Sequence, residues 1–174
     1  MIETMTSEEV ILVNEKDEAL GSMEKMLAHQ KGLLHRAISV FIFNSKKEVL
    51  LQRRDLHKYH SAGLWSNTCC SHPRPDETTA AAAKRRLMEE MGMAVDLEHK
   101  DELIYKVVLE KGLSEHEYDH VFIGYSNSEP KPNPEEVMDY KWWNLEELKM
   151  DLSLHPEHYT YWFKLLSERI SRWI

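Results

Sequence analysis

One helix organises what the chain can become. Residues 78–91 carry Ala80, Ala81, Ala82 and Ala83, a capping threonine in Thr78 or Thr79, and Gly92 placed to end the helix. Ala80, Ala83, Leu87 and Met91 predict its core-facing stripe. On both sides the sequence reads as strands. Residues 9–13, 37–43 and 48–53 precede the helix, and 103–110, 117–125 and 137–143 follow it. Turn chemistry at 14–17, 44–47 and 111–114 suggests hairpin connections, and the three prolines of 126–134 mark a loop. Residues 19–30 are weakly helical, with Lys25 and His29 on one face, and Lys31-Gly32 ends the segment. Asn144 suits a cap for a helix at 145–150. Pro156 suits the first turn of a final helix, along which Tyr159, Trp162, Phe163, Leu166 and Ile170 form one apolar face. Strands, helix, strands, helices predict an α+β fold, a mixed or antiparallel sheet flanked by helices. No repeat or linker divides the chain, so one domain over 1–174 is expected.

Charge and cysteine usage narrow the function. The formal net charge of −8 argues against a broad nucleic-acid-binding face, but leaves room for a small anion at a local basic cluster. No apolar run is long enough to span a bilayer, so no membrane partner is expected. The first nine residues lack the basic-then-apolar pattern of a leader. Two adjacent cysteines make a poor disulfide framework, which fits a reducing, cytoplasmic setting.

The chemistry concentrates in residues 66–73, Ser-Asn-Thr-Cys-Cys-Ser-His-Pro. Taken alone, Cys69 and Cys70 read as small buried hydrophobes and His72 as a turn residue. Ten histidines invite a search for a metal. His29, His35, His72, Glu115 and Glu117 offer three imidazoles and two carboxylates, a shell suited to a divalent ion such as Zn, Mn or Mg. They come from separate segments, so no spacing rule certifies the set. Glu115 and Glu117 leave the same face of an extended segment, and His116 the other. Arg53, Arg54 and Lys58 are either a solvated basic loop or an anion site. On the helix, Arg85/Glu89 and Arg86/Glu90 read as surface ion pairs at four-residue spacing.

Glu77, Arg85, Glu89, Glu90 and Gly92 match most of the Nudix box, G-x5-E-x7-R-E-U-x-E-E-x-G-U, with U a bulky apolar residue. Ser71 stands at its first glycine and Arg86 at the glutamate after its arginine. Exchanging that carboxylate for a guanidinium weakens a hydrolytic metal cluster and favours direct phosphate binding. With Ala28-His29, Leu34-His35, Gln52-Arg53-Arg54, the stretch 63–73, Glu115-His116-Glu117 and Asp139-Tyr140-Lys141-Trp142, the sequence resembles the type I isopentenyl-diphosphate isomerases, a branch of the Nudix fold. The likeness runs over nearly the whole chain.

That resemblance implies a Nudix-like fold and interconversion of isopentenyl and dimethylallyl diphosphate in isoprenoid biosynthesis. It implies one divalent ion, Mn, Zn or Mg, held by His29, His35, His72, Glu115 and Glu117, and a second ion, Mg, bound with the diphosphate and held in part by Glu90. By the same resemblance Cys70 and Glu117 are catalytic, with Tyr105 assisting Glu117. Lys25, Arg54, Lys58 and Arg86 surround the diphosphate, and Trp162 lines the hydrocarbon end. Moving a terminal double bond inward adds a proton at one carbon and removes another two carbons along, by way of a tertiary carbocation. That needs an acid and a base on opposite sides of a dry cavity. Glu117 is assigned as proton donor to the alkene and Cys70 as acceptor, with the roles exchanged in reverse. A Nudix hydrolase of a nucleoside or other diphosphate, and a non-catalytic binding domain, are the competing readings. A small diphosphate is the expected partner, and the chain a monomer or weak homodimer.

Overall fold

The computed structural model describes residues 8–174; the leader expectation falls almost wholly outside them. Its centre is strand β3 (His35–Phe43), His-Arg-Ala-Ile-Ser-Val-Phe-Ile-Phe, buried along nearly its whole length. A near-continuous apolar run of this kind suits a strand covered on both faces. On one side β3 pairs in parallel with β8 (Ser114–Tyr125), from His35↔Glu117 to Phe43↔Tyr125. On the other side three strands share its edge in succession. Leu12 of β1 (Glu9–Val13) meets His35, β6 (Cys69–Ser71) meets Ile38 to Val40, and Val49 of β4 (Val49–Arg54) meets Phe43. The nine-stranded mixed sheet is completed by β2 (Ala19–Glu24) on β1, β5 (Trp65–Ser66) and β9 (Val137–Trp143) on β4, and β7 (Glu98–Val108) on β8. The expected α+β class, a mixed sheet with flanking helices, is what forms.

Alternation along β3 sorts the core into two layers. Ile38, Val40 and Ile42 pack with Leu87 and Met91 of α2 (Thr79–Met91). Phe41 and Phe43 pack on the other face, under α3 (Leu145–Leu154) and α4 (Tyr161–Ser167). Helix α2 is capped as the sequence predicts: Thr78 Oγ1 accepts from the Ala81 amide at 3.1 Å. Its buried stripe is Ala82, Ala83, Leu87, Glu90 and Met91; Ala80 lies in the first turn on the exposed side, so it does not join the stripe.

Two helix starts differ from expectation. Residues 19–30 are not one helix: 19–24 form β2, because they complete a hairpin with β1 from Ala19↔Val13 to Glu24↔Glu9. Glu24 then caps α1 (Lys25–Lys31), accepting from the Met26 and Leu27 amides. Pro156 opens a separate 3-10 turn, and Thr160 caps α4. The predicted apolar face survives, since Tyr159, Trp162, Phe163, Leu166 and Ile170 are all buried. Among the described residues no helix is long and apolar enough to cross a membrane.

Candidate active site

The sheet register assembles the site. Glu117 on β8 lies opposite His35 on one side and Tyr105 on the other. Cys70 lies opposite Ser39, two pleats further along β3. Helix α1 adds His29, and the end of β6 leads to His72. His29, His35, His72 and Glu115 are all buried and bring one ligand atom each to within 4.8 Å of one another.

The tautomers are set by the backbone. His29 donates from Nδ1 to the Lys25 carbonyl at 2.7 Å, and His35 from Nδ1 to the Leu33 carbonyl at 2.9 Å. Each therefore turns its Nε2 inward, the arrangement found around metal-binding imidazoles. His35 Nε2, His72 Nε2 and Glu115 Oε2 are buried without a hydrogen-bond partner. Orphaned buried polar atoms are costly, and a divalent cation satisfies all three at once. Burial pushes His35 down to about 4 and His72 well below the usual range, so both imidazoles are neutral and able to ligate. For His29 burial acts the same way, but the bond to Glu115, 3.3 Å away, outweighs it and raises the group.

Glu117 stands beside this cluster. Tyr105 donates to its Oε1 at 2.8 Å, and its Oε2 lies 3.3 Å from His72 Nε2. Burial first, and then the adjacent Glu115 carboxylate, push Glu117 well above the usual carboxylate range. Glu115 moves the other way. Burial opposes its charge, but hydrogen bonds with Glu117, His29 and His60 hold it well below that range. The two neighbouring carboxyls are thus pushed in opposite directions, the division of labour acid–base sites use.

Cys70, Glu117, Tyr105, Arg54, His60 and Trp162 line one cavity of 30 Å³. Burial pushes the Cys70 thiol up to about 12, and the Arg54 guanidinium, with Nη1 4.0 Å from Sγ, pulls the other way. Trp162 donates from its indole to Ser66 Oγ at 2.9 Å, which fixes the ring, and Arg54 lies 5.3 Å from that ring's centre. The Ser-Asn-Thr run before the cysteines is scaffold: Thr68 Oγ1 bridges the Leu50 carbonyl and the Ile42 amide, and Asn67 donates to the Cys69 and Val40 carbonyls. Cys69 is buried against α2 with Ala82, Ala83 and Leu87.

Of the predicted diphosphate residues, Arg54 lines this cavity, and Lys25, Lys58 and Arg86 each stand in an ion pair. Glu136 joins two of them, contacting Lys58 and lying 3.4 Å from Arg86. Arg86 donates to Glu90 Oε1 at 2.7 Å and Gln52 to Glu90 Oε2 at 3.0 Å, so Glu90 stands apart from the His/Glu cluster and both its oxygens are engaged. The Arg86/Glu90 pair is therefore largely buried, against the surface reading of the sequence. Lys25 pairs with Glu8 at 3.0 Å and lies 4.9 Å from the Tyr59 ring centre.

Three residues here escaped the sequence reading. His60 contacts Glu115 through Nε2 and meets the Trp162 ring edge-on. Asp119, two residues beyond Glu117 on the same face, accepts from Ser39 at 2.7 Å, and burial pushes it up to about 7. Its two-residue spacing was the available signal. For His60 and Glu136 the sequence carries none.

A NUDIX domain family model matches residues 33–164. An isopentenyl-diphosphate Delta-isomerase 1 of Aromatoleum aromaticum is 52% identical over 163 residues, covering 94% of this chain and 92% of the relative. An isopentenyl-diphosphate Delta-isomerase of Pectobacterium atrosepticum is 51% identical over 162 residues, covering 93% and 90%. Among solved structures, a Deinococcus radiodurans protein superposes with a TM-score of 0.76 at 20% identity, over 95% of this chain and 99% of that one. A MutT protein from Methanosarcina mazei superposes with 0.66 at 24% identity, over 80% and 94%. At these identities the structural matches speak to the fold.

Proposed function

The chain belongs to the isopentenyl-diphosphate Delta-isomerases within the NUDIX domain family, and on that premise we propose how its buried centre performs the isomerisation. The enzyme interconverts isopentenyl and dimethylallyl diphosphate, and the hydrolase alternative is set aside with the relatives' names. The observation that carries the site assignment is a pair of groups on one cavity: Glu117, pushed above the usual carboxylate range by burial and by Glu115, and Cys70.

Glu117 gives its proton to the terminal alkene carbon, with Tyr105 holding Oε1 and stabilising the carboxylate that forms. Positive charge develops at the tertiary carbon, where the face of Trp162 stabilises it without forming an adduct. Cys70 takes the proton two carbons along, and Arg54 favours the thiolate it needs for that task. In the reverse direction the roles exchange. His29, His35, His72 and Glu115, with Glu117 beside them, would hold one divalent ion, for which Mn, Zn and Mg all suit the mixed nitrogen and oxygen donors. That ion supplies positive charge that orients the glutamates and tunes their acidity. Lys25, Arg54, Lys58 and Arg86 bind the diphosphate, and Glu90 would help hold a Mg ion bound with it. Glu90 must then release Arg86 or Gln52.

A cavity of 30 Å³ holds about one water-sized group. A five-carbon diphosphate is larger, so binding moves a wall, and the irregular segment 55–64, carrying Lys58, Tyr59 and His60, is the one we assign to that movement. We read the chain as one NUDIX-type unit that works in the cytoplasm, as a monomer or weak homodimer, with its two cysteines reduced. Proton NMR of isopentenyl diphosphate in deuterated buffer with Mg tests the reading. The expected result is dimethylallyl diphosphate carrying deuterium, lost in Cys70→Ala and Glu117→Gln. Deuterated product from both variants at the wild-type rate overturns the site assignment, and released phosphate overturns the reaction.

A further inference from the structure

On the opposite face of the β7/β8 pair a second group of ligating atoms converges. In a regular strand His99 and Glu102, three apart, would point to opposite faces. A β-bulge at Lys100 changes the parity: His99 pairs with Phe122, Asp101 with Val121 and Glu102 with His120. His99 and Glu102 therefore share a face with His120. His99 Nε2 lies 3.0 Å from His120 Nδ1, and Glu102 Oε2 lies 3.9 Å and 3.7 Å from those two atoms.

Each ligating atom but that of His99 is oriented from behind. His120 donates from Nε2 to Asp17 Oδ2 at 2.9 Å, which leaves its Nδ1 lone pair facing the other two residues. Asp17 is itself fixed by Arg36, whose Nε donates to Oδ1 at 2.7 Å and whose Nη2 donates to the Asp17 carbonyl. Tyr118 donates to Glu102 Oε1 at 2.8 Å and leaves Oε2 free for the same space. Carboxylate behind imidazole behind metal is the outer architecture of protein zinc sites. Four-coordinate zinc with bonds of about 2.0–2.1 Å places its donor atoms about 3.3 Å apart. The three separations here bracket that value.

We propose that His99, Glu102 and His120 form a further metal site, one that takes zinc, distinct from the buried His/Glu cluster and with its fourth position open to solvent. The ion replaces the proton that the two facing imidazole nitrogens otherwise share. It ties β7 and β8 to the β1–β2 turn through Asp17. The exposed trio His155, Glu157 and His158 offers the contrast: each imidazole lies 3.6 Å from Glu157, but among the described residues no orienting carboxylate or hydroxyl stands behind either one.

The test is zinc content after gel filtration, and thermal unfolding with and without added zinc, for the full chain, His99→Ala, Asp17→Asn and His155→Ala. His99 has a side chain 44% exposed, so its truncation leaves the core intact. The wild type is expected to retain one zinc equivalent more than His99→Ala. It should gain a zinc-dependent rise in Tm that His99→Ala lacks, at unchanged isomerisation in Mg. Asp17→Asn should weaken the site by about 10–100-fold, and His155→Ala should match the wild type. Equal zinc content in the wild type and His99→Ala overturns the proposal, and so does loss of the extra equivalent in His155→Ala alone.

Discussion

Cys69 and Cys70 are neighbours on β6 but belong to opposite layers of the protein. Cys69 pairs with Val40 and packs under α2, whereas Cys70 pairs with Ser39 and opens on the cavity it shares with Glu117. Strand alternation alone separates a thiol packed under a helix from one that faces the cavity.

Cys70→Ala should therefore lower kcat by at least about 10³-fold, within the range lost with an acid–base group, and leave Tm nearly unchanged. Cys69→Ala should keep most of the activity and cost about 1 kcal/mol of stability, a small cavity under α2. Turnover by NMR and thermal unfolding of both variants check this. Equal loss of activity from the two, with folding intact, would sink it.

Glu115 and Glu117 should also separate. Glu115 converges with the three imidazoles, while Glu117 divides its oxygens between Tyr105 and His72. Glu115→Gln should lose the buried metal on dialysis, with affinity down by about 10–100-fold or more, and lose activity with it. Glu117→Gln should keep more of the metal but still fall by about 10²–10⁴-fold in kcat. Metal analysis beside single-turnover kinetics distinguishes the two. Identical metal retention would mean that the glutamates are equivalent ligands.

Much of this arrangement is legible in the sequence because it follows from periodicity. The α2 helix with its Thr78 cap, the shared face of Glu115 and Glu117, and strand 137–143 all come from local pattern. What escapes is set by partners distant in sequence. Residues 19–24 form a strand because β1 lies alongside. β7 begins at Glu98 rather than 103 because its polar first half, Glu-His-Lys-Asp-Glu, borrows pairing from β8. Its bulge at Lys100, on which the His99/Glu102/His120 cluster depends, has no glycine to announce it. His60 reaches Glu115 from an irregular segment for which spacing rules say nothing.

Arg86 links the helix to the diphosphate reading. It bridges Glu89, Glu90 and Glu136. Arg86→Ala should raise KM for isopentenyl diphosphate by about tenfold or more, since a charge-assisted contact contributes about 1.5–3 kcal/mol. Arg86→Lys should recover part of the loss. A change in Tm with KM unaltered would make Arg86 a structural strut.

Gly92 is a glycine that the fold requires. Its φ is 62°, and a Cβ there would lie 2.5 Å from the Lys131 carbonyl oxygen. The 126–134 loop is tied to the same helix end by Lys131 and Asn133 amides donating to the Met91 and Glu90 carbonyls. Gly92→Ala should destabilise the protein by about 1–3 kcal/mol, and hydrogen exchange should quicken at Lys131 and Asn133. Unchanged Tm and exchange would show that the loop yields freely.

Glu77 gives a pH-dependent test at the other end of α2. Arg85 donates to both its oxygens, at 2.7 and 2.9 Å, and the Arg74 amide adds a third bond. The Arg85 bond, ahead of the opposing effect of burial, holds Glu77 below its ordinary value. A carboxylate depressed in the folded state stabilises it fully above its unfolded value, about 4.3, and loses that contribution as pH falls through the folded value. Solvent near the helix start screens the pair, so the contribution is about 0.5–1 kcal/mol. Glu77→Gln should therefore unfold about 1–4 °C below the wild type near pH 7. The gap should close as pH falls below the unfolded value of about 4.3 and on through the lower folded one. Thermal unfolding across pH 3–7 measures that gap. A constant gap would assign the loss to packing of the side chain rather than to its charge.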